Sequence, residues 1–227
     1  MGQQIQKIAV ERGHEIHALI DDKDWSFDII SGSDVAIEFT QPASAKKNII
    51  NCFKANVPVV IGTTGWYSDY DEVVDECKNL EGALLASTNF SLGVNIFFEI
   101  NKKLATLMNL NANYKPTITE THHIQKLDKP SGTAISLAEQ IIEKHESFKD
   151  WNLSNDLITN DSISIESNRE TNVPGKHTVL YENDIDEISI THSAKNRKGF
   201  AIGAVLAAEF IANKKGIFTM KEVLGIQ

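Results

Sequence analysis

The stretch Val57-Pro-Val-Val-Ile61, which runs directly into Gly62-Thr63-Thr64-Gly65, indicates how this chain is built. A short β-branched run that ends in glycines is typical of a strand buried on both faces of a parallel sheet. The glycines allow a ligand to come close to the backbone of the turn. We therefore expect a strand here whose carboxyl end carries a binding turn.

The sequence around this strand alternates between short apolar runs and segments of helical period. The strands are expected at residues 15–20, 35–39, 57–61 and 83–86. The helices of this half are expected at residues 3–12, 43–55 and 70–79. Such alternation is typical of βαβ units with right-handed crossovers. The sequence therefore predicts an α/β fold with a Rossmann-like parallel sheet.

The second half of the chain has a different pattern, which follows a predicted helix at residues 94–108. Its strands are expected at residues 117–120, 162–166, 177–181 and 187–192, and a helical pattern returns at residues 205–212. Residues 144–160 are polar, and we expect an irregular surface segment there. Runs of strands with few helices favour a separate α+β domain with a mixed or antiparallel sheet. We therefore predict one domain of residues 1–90 with 205–227 and a second domain of residues 91–204.

The composition excludes several classes of protein. The 227 residues are 41% hydrophobic and 23% charged, as in ordinary globular proteins. The net charge of −9 argues against a nucleic-acid-binding protein, which would carry a basic patch. No apolar run reaches the ~18 residues of a membrane span, and the N-terminus lacks the apolar core of a signal peptide. Cys52 and Cys77 have no partners at zinc-ligand spacing, so we expect reduced thiols, no metal site and a cytoplasmic location.

Polar groups are concentrated in the stretch Glu120-Thr-His-His-Ile-Gln-Lys-Leu-Asp-Lys-Pro-Ser-Gly-Thr-Ala134. A helix is expected at residues 134–143, so the cluster should lie on a strand-to-helix loop, where the N–H groups of Ser131, Gly132 and Thr133 suit an anion. Single histidines and Ser-Gly-Thr turns are often only structural. His-His-x-x-Lys and Pro-Ser-Gly-Thr together on one loop favour a functional role. The stretch therefore predicts an anionic substrate that receives a proton.

Polar turns also follow the strands of the predicted parallel sheet. Ligands bind outside the carboxyl ends of such strands, and an acidic residue after the second strand commonly accepts hydrogen bonds from an adenosine ribose. The residues at these ends are Asp21, Gly62, Thr63, Thr64, Ser87, Thr88, Asn89 and Phe90. The pattern favours a nucleotide-binding crevice over ordinary βα turns.

The start of the chain differs from a complete dinucleotide-binding unit, which opens with a strand and a Gly-x-Gly-x-x-Gly turn. Met1-Gly2 directly precedes the first predicted helix, so Gly2 would be the last glycine of that turn. A sheet without this strand would expose the unpaired edge of a central strand. We therefore expect an upstream segment of one strand and its turn, and weak cofactor binding or poor solubility without it.

Several motifs in one order resemble the 4-hydroxy-tetrahydrodipicolinate reductase (dihydrodipicolinate reductase) family, and the resemblance covers essentially the whole chain. The motifs are Glu38-Phe-Thr40, Gly62-Thr-Thr-Gly65, Asn89-Phe-Ser-Leu-Gly-Val-Asn95, His122-His-x-x-Lys126-x-Asp128-x-Pro130-Ser-Gly-Thr133, Val173-Pro-Gly-x-His177 and the segment from Thr191 to Arg197. The resemblance implies an oxidoreductase of lysine and diaminopimelate biosynthesis. Such an enzyme reduces 4-hydroxy-tetrahydrodipicolinate to tetrahydrodipicolinate with hydride from NAD(P)H.

The resemblance also implies a role for individual residues. His122 resembles the general acid/base, and Lys126, expected as a buried ammonium, resembles its cationic partner. Contacts to the substrate carboxylates are implied for His123, Ser131, Gly132, Thr133 and Arg197. Cofactor contacts are implied for Gly2, Asp21, Gly62, Thr63, Thr64, Ser87, Thr88, Asn89 and Phe90. The first domain would bind the dinucleotide, and the second would bind the substrate and assemble a homotetramer through its sheets.

The choice of cofactor is predicted from the end of the strand at residues 15–20. Asp21 can accept hydrogen bonds from a free ribose 2′-hydroxyl, whereas Asp22 would repel a 2′-phosphate. Lys23 could partly offset that repulsion, so we expect a modest preference for NADH, with NADPH also used. Two other readings stay open: another two-domain dehydrogenase acting on a different small acid, and a degenerate, non-catalytic relative that has lost its pyrophosphate turn.

Overall fold

A computed structural model of the chain describes residues 1–21, 25–111, 113–154 and 159–226. It divides into two compact units, Met1–Leu92 with Lys198–Gln227 and Gly93–Arg197. The return to the first unit therefore occurs at Lys198, where a helix begins, and the sequence pattern placed it at residue 205. That the two units act as cofactor and substrate domains stays a prediction at this point.

The helices and strands are numbered here in chain order. In the first half they are α1 (Gly2–Glu11), β1 (Ala36–Glu38), α2 (Pro42–Lys54), β2 (Val59–Ile61), α3 (Tyr70–Asn79), β3 (Ala83–Ala86) and α4 (Leu92–Met108). In the second half they are β4 (Lys115–His123), α5 (Gly132–Lys144), β5 (Asp150–Leu153), β6 (Ser162–Glu170), β7 (Gly175–Glu182), β8 (Glu187–Ala194), α6 (Lys198–Ile211), β9 (Gly216–Phe218) and α7 (Met220–Leu224). Two short 3-10 helices cover Phe27–Ile30 and Tyr67–Asp69.

The first unit contains a parallel sheet with the strand order β1-β2-β3-β9. Alternate residues of each strand face opposite layers, so Val60 packs with α1 and α6, whereas Val59 and Ile61 pack with α2 and α3. Burial on both faces explains why these strands read as continuous apolar runs. The Rossmann-like parallel sheet predicted from the sequence is confirmed.

The predicted strand at residues 15–20 is wrong. Within the described residues this segment belongs to no helix or strand, and Ile16 and Leu19 are 37% and 67% exposed. A strand needs a neighbour for its backbone groups, and β1 pairs in the described chain only with β2. The apolar residues of this segment fit a strand, but a suitable composition alone supplies no hydrogen-bonding partner.

The second unit contains a five-stranded mixed sheet with the order β5-β6-β4-β7-β8. β4 pairs parallel with β6 and antiparallel with β7, so both directions meet at β4. One face carries a core built with α4 and α5, in which Leu137 and Ile141 of α5 are fully buried. The prediction of a mixed sheet is confirmed.

The expectation of an irregular segment at residues 144–160 is wrong in part, because β5 lies within it and pairs with β6. Phe148 and Trp151 pack against the core of this unit, and these apolar side chains explain why the polar segment is held to the sheet. Residues 155–158 lie outside the described part of the chain. None of the helices in the described ranges combines the length and apolar character that a membrane crossing requires.

Candidate active site

The register of the second sheet places polar groups from three strands on one face. Glu120 of β4 is opposite His177 of β7, and His122 of β4 is opposite Arg169 of β6. On each of the three strands, the side chains on this face are apolar at one end, as Ile118 is on β4, and polar at the other end. The polar residues therefore form one continuous patch where the apolar core ends. The predicted loop location is partly wrong, because β4 extends to His123 and carries both histidines.

Glu120 is the centre of this patch, and its side chain is fully buried. Its Oε2 is hydrogen-bonded to Nδ1 of His122, and its Oε1 accepts a 3.0 Å bond from Nη1 of Arg169. Burial raises the pKa of Glu120, but hydrogen bonds from His122 and Arg169 outweigh it and bring the pKa to about 2. Glu120 is therefore a carboxylate at neutral pH, and Nδ1 of His122 carries the proton of their bond. The remaining nitrogen of His122, Nε2, is left for chemistry.

Arg169 also ties this strand pair to the loop after β4. Its Nε donates to the backbone oxygen of Lys126 at 3.2 Å, and its Nη2 donates to that of Asp128 at 2.6 Å. Lys126 is not the buried ammonium that we expected. Its side chain is 23% exposed, and its Nζ lies 2.9 and 2.8 Å from the two carboxylate oxygens of Asp128. The loop backbone is thus fixed by Arg169, and Asp128 restrains the lysine.

His177 links the patch to the start of α5. Its ring packs edge-on against that of His122, with centroids 5.0 Å apart, and its Nε2 lies 3.0 Å from Oγ of Ser131. Ser131 caps α5, since its Oγ accepts a bond from the N–H of Ala134 at 3.2 Å. Burial lowers the pKa of His177 to about 3, and the nearby charge of His122 adds to this effect. His177 is therefore a neutral imidazole that holds the capped helix beside His122.

The other predicted substrate contacts surround the same turn. Nε2 of His123 lies 3.2 Å from Nη2 of Arg197, so these two residues are together. Gly132 is exposed and Thr133 is half-buried in the first turn of α5. A Cβ added at Gly175 would lie 3.0 Å from Nε2 of His122, so the glycine leaves space beside this nitrogen. These elements of the second unit carry groups that suit a small anion, namely an imidazole nitrogen, a lysine, an arginine and a helix start.

Three of these residues could in principle hold a metal ion. Ligand atoms of Glu120, His122 and His177 lie within 4.8 Å of one another. The carboxylate of Glu120 is already bonded by His122 and Arg169, and Nε2 of His177 is bonded to Ser131, although Nδ1 of His177 has no hydrogen-bond partner in the described chain. A metal ion would also sit close to the guanidinium, which disfavours a second positive charge. The cluster as built therefore suits proton chemistry, and the absence of a metal site stays a prediction.

Most of the predicted cofactor residues lie in the first unit, at the carboxyl ends of the adjacent strands β2 and β3. Gly62 is partly exposed, and Thr64 and Thr88 are exposed, whereas Thr63, Asn89 and Phe90 are buried. Oγ of Ser87 donates to the backbone oxygen of Asn89 at 2.8 Å and accepts its N–H at 3.2 Å, which closes that turn. The structure brings these two turns to one edge of the sheet.

The remaining cofactor residues are near the start of the chain. Gly2 is the first residue of α1, and no atom of the described chain lies within 4 Å of where its Cβ would be. Asp21 is exposed directly after residues 15–20. Asp22 and Lys23, which entered the prediction of cofactor choice, lie outside the described residues.

Glu120, Arg169 and His177 have no role that the sequence predicts. A signal was present, because each of the three strands changes from apolar to polar along the same face: Ile118 to Glu120 and His122, Ile165 to Ser167 and Arg169, Val179 to His177. Recognising that these changes meet at one place requires the strand register, which the sequence does not supply.

Comparison with protein families gives matches over both units. Residues 1–90 match the family described as dihydrodipicolinate reductase, N-terminus, and residues 93–224 match dihydrodipicolinate reductase, C-terminus. A 4-hydroxy-tetrahydrodipicolinate reductase of Christiangramia forsetii is 52% identical over 99% of this chain and 93% of its own length. The enzyme of the same name from Nitrosomonas eutropha is 36% identical over 87% of this chain and 75% of its own length.

Solved structures with the same fold include a dipicolinate-bound dihydrodipicolinate reductase from Paenisporosarcina sp. TG-14. Its TM-score is 0.76 at 23% identity, over 97% of this chain and 94% of that one. An amine dehydrogenase from Mycobacterium smegmatis has a TM-score of 0.60 at 8% identity, over 97% and 92% of the two chains. At these identities the solved structures support only the fold. The two family matches establish which family the chain belongs to.

Proposed function

Because this chain belongs to the dihydrodipicolinate reductase family, we propose that it reduces 4-hydroxy-tetrahydrodipicolinate to tetrahydrodipicolinate in lysine and diaminopimelate biosynthesis. The reaction consumes one hydride and one proton and releases the 4-hydroxyl group as water. A nicotinamide cofactor supplies the hydride, and the residues of the chain bind the reactants and manage the proton.

The observation that carries this proposal is the fixed orientation of His122. Glu120 accepts the proton of Nδ1, Arg169 holds Glu120, and Gly175 leaves room beside Nε2. An imidazole so held can exchange a proton with a bound substrate at Nε2. The proton work is therefore assigned to Nε2 of His122, and Glu120 and Arg169 are positioning residues.

The charged groups around His122 suit a small dicarboxylate. Arg197 with His123, and the start of α5 at Gly132 and Thr133, offer donors to its carboxylates. Lys126 supplies a positive charge that stabilises the hydroxyl group as it leaves. Its ion pair with exposed Asp128 is weak, since such exposed pairs contribute only about 0–1 kcal/mol. The ammonium can therefore leave Asp128 and contact the substrate.

The first unit fits a nicotinamide dinucleotide at its carboxyl edge. The turns Gly62–Thr64 and Ser87–Phe90 follow neighbouring parallel strands, where nucleotides bind in folds of this kind. The Thr63 hydroxyl already donates to Glu38 of β1, and the Asn89 side chain accepts from Ser91 within its own turn, so these residues are assigned backbone contacts to the cofactor. Gly2 is assigned a contact to the pyrophosphate of the cofactor, and Asp21 is assigned hydrogen bonds to its adenosine ribose.

The proposed preference for NADH rests on Asp21, whose carboxylate can accept both ribose hydroxyl groups. Values of kcat/KM for NADH and NADPH, measured with the same preparation, test this choice. We expect NADH to be favoured severalfold. A clear preference for NADPH would refute the assignment of Asp21, and Lys23→Ala would then show whether that lysine binds the 2′-phosphate.

A homotetramer assembled through the second sheet is part of the proposal. The face opposite the α5 core carries Thr117, Lys176, Thr191 and Ser193, all exposed in the described chain. A broad, exposed face of one sheet can pair with the same face of a second copy related by twofold symmetry. Light scattering after gel filtration should give four times the chain mass of 25.2 kDa, and a monomer would contradict this assignment.

The experiment for the main proposal mixes the protein with reduced nicotinamide cofactor and freshly generated 4-hydroxy-tetrahydrodipicolinate. We expect oxidation of the cofactor only when substrate is present, with inhibition by dipicolinate. The non-catalytic alternative is not favoured, because the residues around His122 form a complete acid–base arrangement. A folded protein that binds the cofactor and the dicarboxylate but oxidises nothing would restore that alternative.

A further inference from the structure

A buried carboxylate in the first unit lies outside every role assigned so far. Glu38 is the last residue of β1 and is 7% exposed. No lysine or arginine among the described residues lies within ion-pair distance of it. A buried carboxylate without a cation is costly unless neutral donors surround it. A specific set of hydrogen bonds must therefore stabilise the buried carboxylate of Glu38.

Three side chains supply these bonds. Oγ1 of Thr63 donates to Oε2 at 2.6 Å, and Oγ1 of Thr40 and Nδ2 of Asn48 donate to Oε1, the latter at 3.1 Å. Asn48 belongs to α2 and is itself held by Trp25, whose Nε1 donates to Oδ1 at 3.0 Å. The carboxylate thus joins the turn after β1, the turn after β2 and a helix.

The two turns are also bonded to each other through Thr63. The N–H of Thr40 donates to Oγ1 of Thr63 at 2.7 Å, and the N–H of Gly62 donates to the backbone oxygen of Glu38 at 2.9 Å. The hydroxyl of Thr63 therefore has one donor and one acceptor partner and is directed inward. A Cβ at Gly62 would overlap the ring of Phe39, so the turn lies tightly against the neighbouring one.

We propose that Glu38 is a positioning residue for the nicotinamide cofactor, because its carboxylate locks the Gly62–Thr64 turn in the conformation that presents backbone groups outward. The inference rests on the proposed cofactor site at this edge. Each oxygen of Glu38 accepts from a hydroxyl. An amide in its place keeps one acceptor oxygen and presents an NH2 group at the other position, so one of these hydroxyl bonds must reverse or break. The Gly62–Thr64 turn would then be held less firmly in this conformation, although its own residues are unchanged.

The experiment compares cofactor binding to the wild-type chain and Glu38→Gln by calorimetry with NADH. We expect the Kd to rise at least about tenfold, equivalent to about 1.4 kcal/mol, whereas the Kd for dipicolinate measured without cofactor stays within about twofold. Glu209→Gln is the matched control. It removes a carboxylate of the same unit that pairs with Arg12 away from these turns, and it should leave both constants unchanged.

A second pair of variants keeps the inference testable if Glu38→Gln does not fold. Thr63→Ser retains the hydroxyl and Thr63→Val removes it, so Thr63→Val should bind NADH at least about tenfold more weakly than Thr63→Ser. Equal NADH affinity of Glu38→Gln and the wild type, or of the two Thr63 variants, would overturn the role of Glu38 while leaving the reductase proposal intact. Failure of the wild type itself to bind NADH or NADPH would overturn both.

Discussion

His122 donates the proton on Nδ1 to Glu120, a carboxylate with no exposed surface that also accepts from Arg169. This relationship fixes the tautomer and the ring plane of the imidazole, so the basic nitrogen of the neutral form is Nε2. It resembles the support that carboxylates give to functional histidines in many sites, where loss of the partner typically costs about 10- to 100-fold.

Replacing Glu120 with Gln should therefore lower kcat about 10- to 100-fold, because the amide cannot hold the imidazolium form of His122 as a carboxylate does. The KM for the cofactor should change little, since the cofactor residues lie in the other unit. Steady-state kinetics with both reactants varied provide the measurement. Glu166→Gln on the opposite face of β6 is the control. A wild-type kcat in Glu120→Gln would remove Glu120 from the positioning role.

Lys126→Ala should lower kcat strongly, by about 100- to 10,000-fold, if its ammonium assists departure of the hydroxyl group. Asp128→Asn removes only the exposed partner of that lysine, so it should retain most of the activity. Turnover of both variants at saturating cofactor is the measurement. Equal losses in the two variants would indicate that the ion pair, and not the ammonium itself, is what matters.

Thr133→Val should weaken binding of the dicarboxylate. It removes a hydroxyl from the first turn of α5 and leaves a polar group of the ligand unpaired, which costs about 1–3 kcal/mol. Calorimetry with dipicolinate should show a Kd raised about 5- to 150-fold, and Thr133→Ser should restore most of the affinity. Identical affinities for the Val, Ser and wild-type proteins would exclude this hydroxyl from the substrate site.

The burial of neutral His177 should make stability depend on pH. The pKa of His177 is about 3 in the folded chain and ~6.5 in an unfolded chain, so below ~6.5 only the unfolded state takes up this proton. Its contribution is present above ~6.5 and is lost as pH falls towards 3, by up to about 1.4 kcal/mol per pH unit. Urea unfolding at several pH values should show a shallower decline for His177→Gln. The same slope in both proteins would mean that His177 is protonated when folded.

Much of the first unit could be predicted from local pattern, because parallel strands buried on both faces read as short apolar runs. The ends of α3 and β3 fall where the sequence placed them. Whether residues 15–20 form a strand could not be predicted from their own sequence, since a strand needs a partner strand from elsewhere in the chain. β5 was missed because its four residues carry two polar side chains and are held by Trp151 and by pairing with β6.

The candidate site was predictable only in part for a related reason. His122, Lys126 and the Ser131–Thr133 turn stand close together in the sequence, so a motif could identify them. Arg169 and His177 reach the same place only through the register of β6 and β7 with β4. Long-range register is set by the packing of a whole sheet face, and no local pattern specifies it.

The measurement that tests the central assignment most directly is the turnover of His122→Gln beside the wild type, with cofactor affinity measured on the same preparations. The variant keeps a side chain of similar polarity but has no group that exchanges a proton near neutral pH. We expect kcat to fall about 100- to 10,000-fold while the Kd for NADH stays within about twofold. A His122→Gln protein that turns over substrate at the wild-type rate would contradict the account of this site.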